Sequence, residues 1–200
     1  MDFKKLANQY RDELLDNVLP FWLEHSQDLE FGGYFTCLDR EGKVFDTDKF
    51  IWLQGREVWM FSMLYNKVEK RQEWLDCAVQ GGEFLKKYGH DGNYNWYFSL
   101  DRSGRPLVEP YNIFSYTFAT MAFGQLSLAT GNQEYADIAK KTFKIILSKV
   151  DNPKGKWNKL HPGTRNLKNF ALPMILCNLA LEIEHLLDPG YLEPVSYTHL

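Results

Sequence analysis

The sequence predicts an all-α protein built from pairs of helices that form about half of a closed ring. Apolar residues recur every three or four positions in six separate stretches. A turn motif occurs twice, 62 residues apart, with two predicted helices between the copies. Repeated helix pairs form an open solenoid or a ring, and the polar cap that a solenoid needs does not follow the last apolar helix. A ring of six pairs would take roughly twice this chain.

The first predicted helix runs from Phe3 to about Glu24, and Pro20 should kink or reset its last turn. The same periodicity predicts five further helices, at Trp52–Glu69, Gln72–Tyr88, Ile113–Ala129, Gln133–Val150 and Lys168–Leu187. Short stretches between the helices have strand character beside turn signals, at Gly33–Leu38, Lys43–Phe45 and Tyr94–Leu100.

The repeated motif is Leu-Asp-Arg-x-Gly followed by Lys or Arg, at Leu38–Lys43 and Leu100–Arg105. In both copies the aspartate can start a tight turn and the glycine can adopt a positive φ. We interpret the motif as a hairpin turn rather than a binding site. The repeating unit is then a helical hairpin followed by a β-turn excursion.

Composition argues against several classes of function. A net charge of −3, a pI near 6.0 and the scattering of the 23 Lys and Arg residues give no reason to expect a nucleic-acid partner. The sequence has no long apolar run and no signal-peptide pattern, so we expect a cytoplasmic protein without a membrane partner. Cys37, Cys77 and Cys177 are far apart, which is typical of reduced thiols used in packing. No metal-ligand or cofactor motif is present.

Arg56 is the most informative residue, because it is a permanent charge inside an almost wholly aromatic and aliphatic helix. Helical spacing places Trp52, Arg56 and Trp59 on one face. Aromatic rings stack on the apolar faces of sugars, and a guanidinium offers five donors to hydroxyls or a developing oxyanion. This face therefore suits a sugar. The alternative is a structural arginine that reaches to water or pairs with Glu57 or Asp48.

Several segments resemble the N-acylglucosamine 2-epimerase family. They are Phe21–Ser26, Gly32–Gly42, Trp52–Met60, Gly81–Leu85 and Ile113–Ser115. The resemblance implies an (α/α)6 barrel and the reversible interconversion of N-acetylglucosamine and N-acetylmannosamine, whereas related members act on mannose, cellobiose or sulfoquinovose-type sugars. Residues 1–193 would be the N-terminal half of this single catalytic domain. We interpret residues 194–200 as a tail left by truncation.

Epimerisation at C2 needs two proton carriers and a group that stabilises an enolate. Arg56 occupies the position of an active-site arginine in the family pattern, where its guanidinium would hold the C1 oxygen. Trp52 either walls the sugar pocket or belongs to the barrel core. Ser115, Tyr116 and Asn169 are weaker candidates for substrate contacts. For Ser115 and Tyr116 the alternative is ordinary helix packing.

The resemblance places the acid and base on histidines in the second half of the barrel, so we expect this chain alone to be inactive. We interpret the histidines present here as caps, turn residues or surface groups: His25, His90, His161, His185 and His199. Related disaccharide epimerases carry a histidine near the start of the sixth helix. Its absence here favours the branch that acts on N-acylamino sugars.

Two other classes of function stay open. Barrels of this kind also host inverting glycoside hydrolases, which need two carboxylates about 6.5–9.5 Å apart, and Glu57 and Glu83 are the residues to consider. A sugar- or protein-binding module without turnover is the other alternative, favoured by the absence of the catalytic histidines. The resemblance further implies a homodimer and activation by ATP or another nucleotide, while the proton transfers themselves need no cofactor.

Overall fold

The computed structural model describes residues 1–110, 112–151, 161 and 170–188. Seven α-helices lie in these ranges: α1 Phe3–Glu13, α2 Leu19–His25, α3 Ile51–Lys67, α4 Gln72–Tyr88, α5 Phe114–Thr130, α6 Gln133–Ser148 and α7 Ala171–Glu182. Five short strands accompany them: β1 Cys37–Leu38, β2 Val44–Asp46, β3 Lys49–Phe50, β4 Ser99–Leu100 and β5 Pro106–Val108. The predicted start of the last helix at Lys168 and the predicted tail at 194–200 lie outside the described residues.

The predicted first helix is a continuous segment with a π-helical turn in its middle. α1 leads into this turn at Leu14–Val18, and the turn leads into α2. The amide of Leu19 donates to the carbonyl of Leu14, five residues earlier. Pro20 has no amide hydrogen to give to the preceding turn, and its ring needs extra room there. The wider π-helical turn accommodates both effects, which is the reset predicted at Pro20.

The helices form two layers. α3 packs on α5 and α5 packs on α7, which makes these three the inner layer. α4 lies outside against both α3 and α5, and α6 lies outside against α5. α5 is buried on nearly every side, which its sequence of small, apolar and uncharged polar residues permits because it contains no charged side chain. The predicted pairing of helices is therefore present, with one inner and one outer helix in each pair.

The repeated motif forms two equivalent hairpin turns, as predicted. The carboxylates of Asp39 and Asp101 accept from the amide four residues further on, at 2.8 and 2.9 Å. Gly42 and Gly104 have φ values of 83° and 94°, a region that L side chains rarely adopt. The first turn joins β1 to β2, and the second joins β4 to β5.

β3 links the two repeats just ahead of α3. It pairs with β4 in antiparallel register, Lys49 opposite Leu100 and Phe50 opposite Ser99. Neither β3 nor β5 was predicted, because each is only two or three residues long. β3 also owes its extended form to a partner about 50 positions along the chain, whereas β5 pairs with β4 across the second hairpin turn. The pairing fixes the direction in which α3 begins.

Cys77 is buried and Cys37 is partly buried, whereas Cys177 is exposed on α7. The packing role predicted for all three thiols is therefore wrong for Cys177. None of the helices in the described ranges combines the length and the apolar character needed to cross a bilayer.

Candidate functional site

The polar side chains of α3 face different neighbours and so set the rotation of the helix. Gln54 is fully buried, and its side-chain amide accepts from the amide of Tyr34 and donates to the carbonyl of Tyr34, both at 2.8 Å. Glu57 is buried on the same side and is hydrogen-bonded to Ser26 at the end of α2. Helical spacing then turns Arg56 to the far side of α3.

Gly55 lets α3 and α5 approach closely. A methyl group at Gly55 would lie 2.9 Å from both the carbonyl carbon and the carbonyl oxygen of Phe118. This approach brings Phe118 beside Arg56, with the guanidinium carbon 5.4 Å from the centre of the Phe118 ring. The same carbon lies 6.0 Å from the centre of the Trp52 ring. Both distances fall in the range of cation–π attraction.

The guanidinium of Arg56 is available to a ligand. Arg56 is exposed, and within the described ranges its head group contacts aromatic rings but makes no hydrogen bond or ion pair. The alternative in which Arg56 pairs with Glu57 is wrong, because Glu57 is hydrogen-bonded to Ser26 instead. All five N–H donors of the guanidinium can therefore serve a bound molecule.

A polar network joins the three inner helices further along α3. The indole nitrogen of Trp59 donates to the carboxylate of Glu182 on α7 at 2.9 Å. Gln125 on α5 donates to the same carboxylate oxygen at 3.0 Å and accepts from Asn66 at 3.1 Å. This network was not predicted from the sequence. A glutamine inside the apolar α5 was the available signal, since a buried amide needs partners.

Of the remaining predicted residues, Tyr116 does not lie beside Arg56. Tyr116 is buried, and its hydroxyl accepts from the ammonium group of Lys149 at 2.9 Å. It lies two residues before Phe118, so it faces the opposite side of α5, and packing is the better interpretation of Tyr116. Ser115 is buried one turn before Phe118, and its contact with substrate stays a prediction. Asn169 lies outside the described residues.

The carboxyls considered for a hydrolase do not form a pair. Glu83 accepts from the hydroxyl of Tyr135 at 2.6 Å and forms an ion pair with Lys86 at 2.8 Å, on the outer layer. Burial raises the pKa of Glu83, but the bonds from Lys86 and Tyr135 outweigh it and lower the pKa overall. Glu57 instead faces α2 through Ser26. The two carboxyls therefore serve different helix contacts.

Three histidines, His25, His90 and His185, pack against neighbouring side chains in structural positions. His25 lies 4.9 Å from Phe21 between ring centres, at the end of α2. His90 stacks on Tyr94 at 4.7 Å, and burial lowers its pKa. Burial also lowers the pKa of His185. None of these three lies against Arg56, and His199 is outside the described residues. In the same ranges no three His, Cys, Asp or Glu side chains converge as metal ligands.

Replacing Gly55 by Ala should lower the free energy of unfolding by about 1–3 kcal/mol, because the new methyl group meets the backbone of α5. Gly82→Ala is the matched control, since its methyl group would meet only the flexible end of the Leu126 side chain. Both changes gain the same helix propensity, about 1 kcal/mol. Urea denaturation of both variants measures the difference. Equal stability of the two variants would show that the close approach of α3 and α5 is not required.

The chain is similar to sugar epimerases along most of its length. The family model described as N-acylglucosamine 2-epimerase matches residues 33–196. The N-acylglucosamine 2-epimerase of Bos taurus is 42% identical over 174 residues, which cover 84% of this chain and 41% of that protein. The cellobiose 2-epimerase of Dictyoglomus turgidum is 29% identical over 167 residues, 79% of this chain and 42% of that protein. The chain thus spans about two fifths of the length of these relatives.

The solved structure of cellobiose 2-epimerase from Spirochaeta thermophila is similar with a TM-score of 0.79, over 96% of this chain and 51% of that chain. At 20% identity this similarity shows the fold alone. The predicted fold class, an (α/α)6 barrel of which this chain supplies about half, is confirmed. Since the family model covers most of the sequence and includes the whole of α3, the chain belongs to the N-acylglucosamine 2-epimerase family.

Proposed function

We propose that the whole protein is a sugar 2-epimerase that interconverts N-acetyl-D-glucosamine and N-acetyl-D-mannosamine. The observation that carries this proposal is the unpaired guanidinium of Arg56 between the rings of Trp52 and Phe118. Membership of the family supports the class of reaction. The higher identity to an N-acylglucosamine 2-epimerase than to a cellobiose 2-epimerase supports an amino sugar as substrate.

Arg56 has the chemistry that the central step of such a reaction needs. Inversion at C2 begins with ring opening, continues with removal of the proton beside the C1 aldehyde, and ends with return of a proton on the opposite face. Negative charge develops on the C1 oxygen of the enolate. A guanidinium with no carboxylate partner would donate hydrogen bonds to that oxygen. Trp52 and Phe118 limit its movement and offer apolar rings to the C–H face of the sugar.

We expect the proton carriers of this proposal to be histidines in the second half of the barrel, as the resemblance to the family implies. His25, His90 and His185 pack away from Arg56, and Glu57 is committed to Ser26. We therefore expect the isolated chain not to turn over substrate. The proton transfers require no metal or organic cofactor. Activation by a nucleotide, a homodimer and a cytoplasmic location stay predictions from the sequence.

Deuterium exchange at C2 tests the proposal. The whole protein is incubated with N-acetylmannosamine in D2O and followed by proton NMR. We expect the C2 proton signal to disappear as N-acetylglucosamine deuterated at C2 forms. Parallel samples with cellobiose and mannose test the alternative substrates. A sample of the isolated 200-residue chain shows whether these residues alone catalyse the exchange.

Two outcomes would contradict the proposal. A folded protein that exchanges no C2 proton on any of the three sugars is not a 2-epimerase of this group. Release of a new reducing end from a disaccharide would instead indicate a hydrolase. Exchange on cellobiose or mannose alone would keep the reaction class and replace the substrate.

A further inference from the structure

The contacts of Ser26 lack one proton if Glu57 is an ionised carboxylate. Ser26 makes two hydrogen bonds to oxygen atoms and has a single hydroxyl proton. The Ser26 hydroxyl lies 2.6 Å from the carbonyl oxygen of Trp22 and is also hydrogen-bonded to a carboxyl oxygen of Glu57. A hydroxyl has one proton to donate, so it cannot donate to both oxygens. The second proton must come from one of its two partners. A carbonyl has none to give, whereas a protonated carboxyl has one.

We infer that Glu57 is held as a neutral carboxylic acid that donates to Ser26, while Ser26 donates to Trp22, and that this neutral link fixes the rotation of α3 that presents Arg56. The link joins the end of α2 to the middle of α3 across 31 positions of sequence. Gln54, one turn before Glu57, fixes the same side of α3. Arg56 is thereby held on the far side, facing Phe118.

The surroundings of Glu57 favour the neutral form. Glu57 is only 7% exposed, and burial raises its pKa to about 8, against a smaller lowering by the bond to Ser26. Two other titratable groups face it, Tyr34 from the loop after α2 and Cys77 from α4. Burial raises the pKa of both, so neither carries charge at neutral pH. No ion pair within the described ranges reaches the Glu57 carboxyl to stabilise a negative charge.

The link should make folding sensitive to a rise in pH between 4.5 and about 8. The pKa of Glu57 is raised from 4.5 to about 8 in the folded state, so between these values the folded chain holds a proton that the unfolded chain has released. Stability from this group is fully present below pH 4.5 and is lost as the pH rises through about 8. The folding equilibrium constant should fall by up to about tenfold per pH unit in this window.

Carbon-13 NMR of the whole protein with labelled glutamate carboxyls tests the neutral acid. We expect one carboxyl signal to titrate near pH 8 and to be absent from the Glu57→Gln variant. Ser26→Ala removes the other end of the link and should shift the same signal, which identifies it even if the glutamine variant folds poorly. If the Glu57 signal titrates near its ordinary pKa of 4.5, the inference is overturned.

A separate NMR measurement tests whether the link between Glu57 and Ser26 positions Arg56. Ring currents from Trp52 and Phe118 should displace the NMR signal of the Arg56 Cδ methylene group. Its protons do not exchange with water, so this signal reports the rotation of α3 at every pH, and Arg56→Lys assigns the signal by removing it. We expect the signal to move between about pH 7 and 9, one unit either side of the pKa of Glu57, and to stay constant in Glu57→Gln. Glu41→Gln, in the exposed part of the first hairpin turn, is the matched control and should behave like the unmodified protein. A constant Arg56 signal while Glu57 titrates would overturn the positioning role.

Discussion

Arg56→Lys should lower the kcat of the whole protein on N-acetylmannosamine by about 100- to 1,000-fold, the usual effect of losing one donor to a developing oxyanion. Lysine keeps the positive charge but loses the planar fork of donors and the flat surface that lies between Trp52 and Phe118. The free energy of unfolding should change little, since Arg56 is exposed and its contacts in the described ranges are with rings alone. Steady-state kinetics and urea denaturation measure the two effects.

Arg40→Lys provides the control for this substitution. Arg40 is exposed in the first hairpin turn, so the same chemical change there should leave both kcat and stability as they were. An unchanged kcat in Arg56→Lys would remove Arg56 from the mechanism. A fall in kcat accompanied by an equally large loss of stability would make Arg56 a structural residue.

Asp28→Asn should destabilise the fold by about 3–5 kcal/mol, because it leaves a buried lysine without its counter-charge. Lys49 is fully buried, and its ammonium group lies 2.9 Å from the carboxylate of Asp28. The same ammonium donates to the carbonyls of Gly32 and Arg102, at 2.5 and 2.9 Å. Arg102 adds two bonds to the Asp28 carboxylate, both at 3.0 Å. An amide in place of the carboxylate keeps the shape of this cluster but not its charge balance.

The same cluster predicts a loss of stability in acid. Burial raises the pKa of Asp28, but the bonds from Arg102 and Lys49 outweigh it and lower the pKa from 3.8 to about 2. Stability from this carboxylate is therefore present above pH 3.8 and lost as the pH falls through about 2, on the order of 2 kcal/mol in total. Urea denaturation as a function of pH should show this loss in the unmodified protein and not in Asp28→Asn.

Two further variants test whether the unbalanced charge of Lys49 causes the loss of stability in Asp28→Asn. Asp137→Asn changes an exposed carboxylate on α6 and should alter stability by no more than about 0.5 kcal/mol. Adding Lys49→Met to Asp28→Asn removes the unbalanced charge and should restore part of the lost stability. If the double variant is no more stable than Asp28→Asn alone, the buried charge is not the source of the effect.

The helices and the hairpin turns could be predicted from the sequence because their signals are local. Apolar residues at helical spacing mark α3 and α4 almost to the residue, and the Asp and Gly of each turn act within four positions. Arg56 could be chosen as a candidate site residue for a related reason. A charged residue within an apolar helix is unusual whatever the helix packs against, so the sequence alone reveals it. Nothing described in the structure provides it with a partner.

The rest of the candidate site depends on contacts between distant parts of the chain. Phe118 looks like any core aromatic until Gly55 brings α5 against α3. Glu57 looks like a solvated acid until Ser26, 31 positions away, is placed beside it. Tyr116 was a candidate because it follows Ser115 near a helix start, yet the rotation of α5 directs it to Lys149. Spacing along one helix gives no information about the rotation of its neighbour.

The pairing of β3 with β4 affects which parts of the protein unfold together during local unfolding in solution. It brings residues 49–50 against residues 99–100 and so encloses α3 and α4 in a closed loop of chain. Peeling away the first repeat would first have to break these strand hydrogen bonds and free the buried Lys49 from Asp28. Hence we expect the amides at the start of α3, which carries Arg56, to be protected from exchange together with those of β4, and not to fray from the helix start.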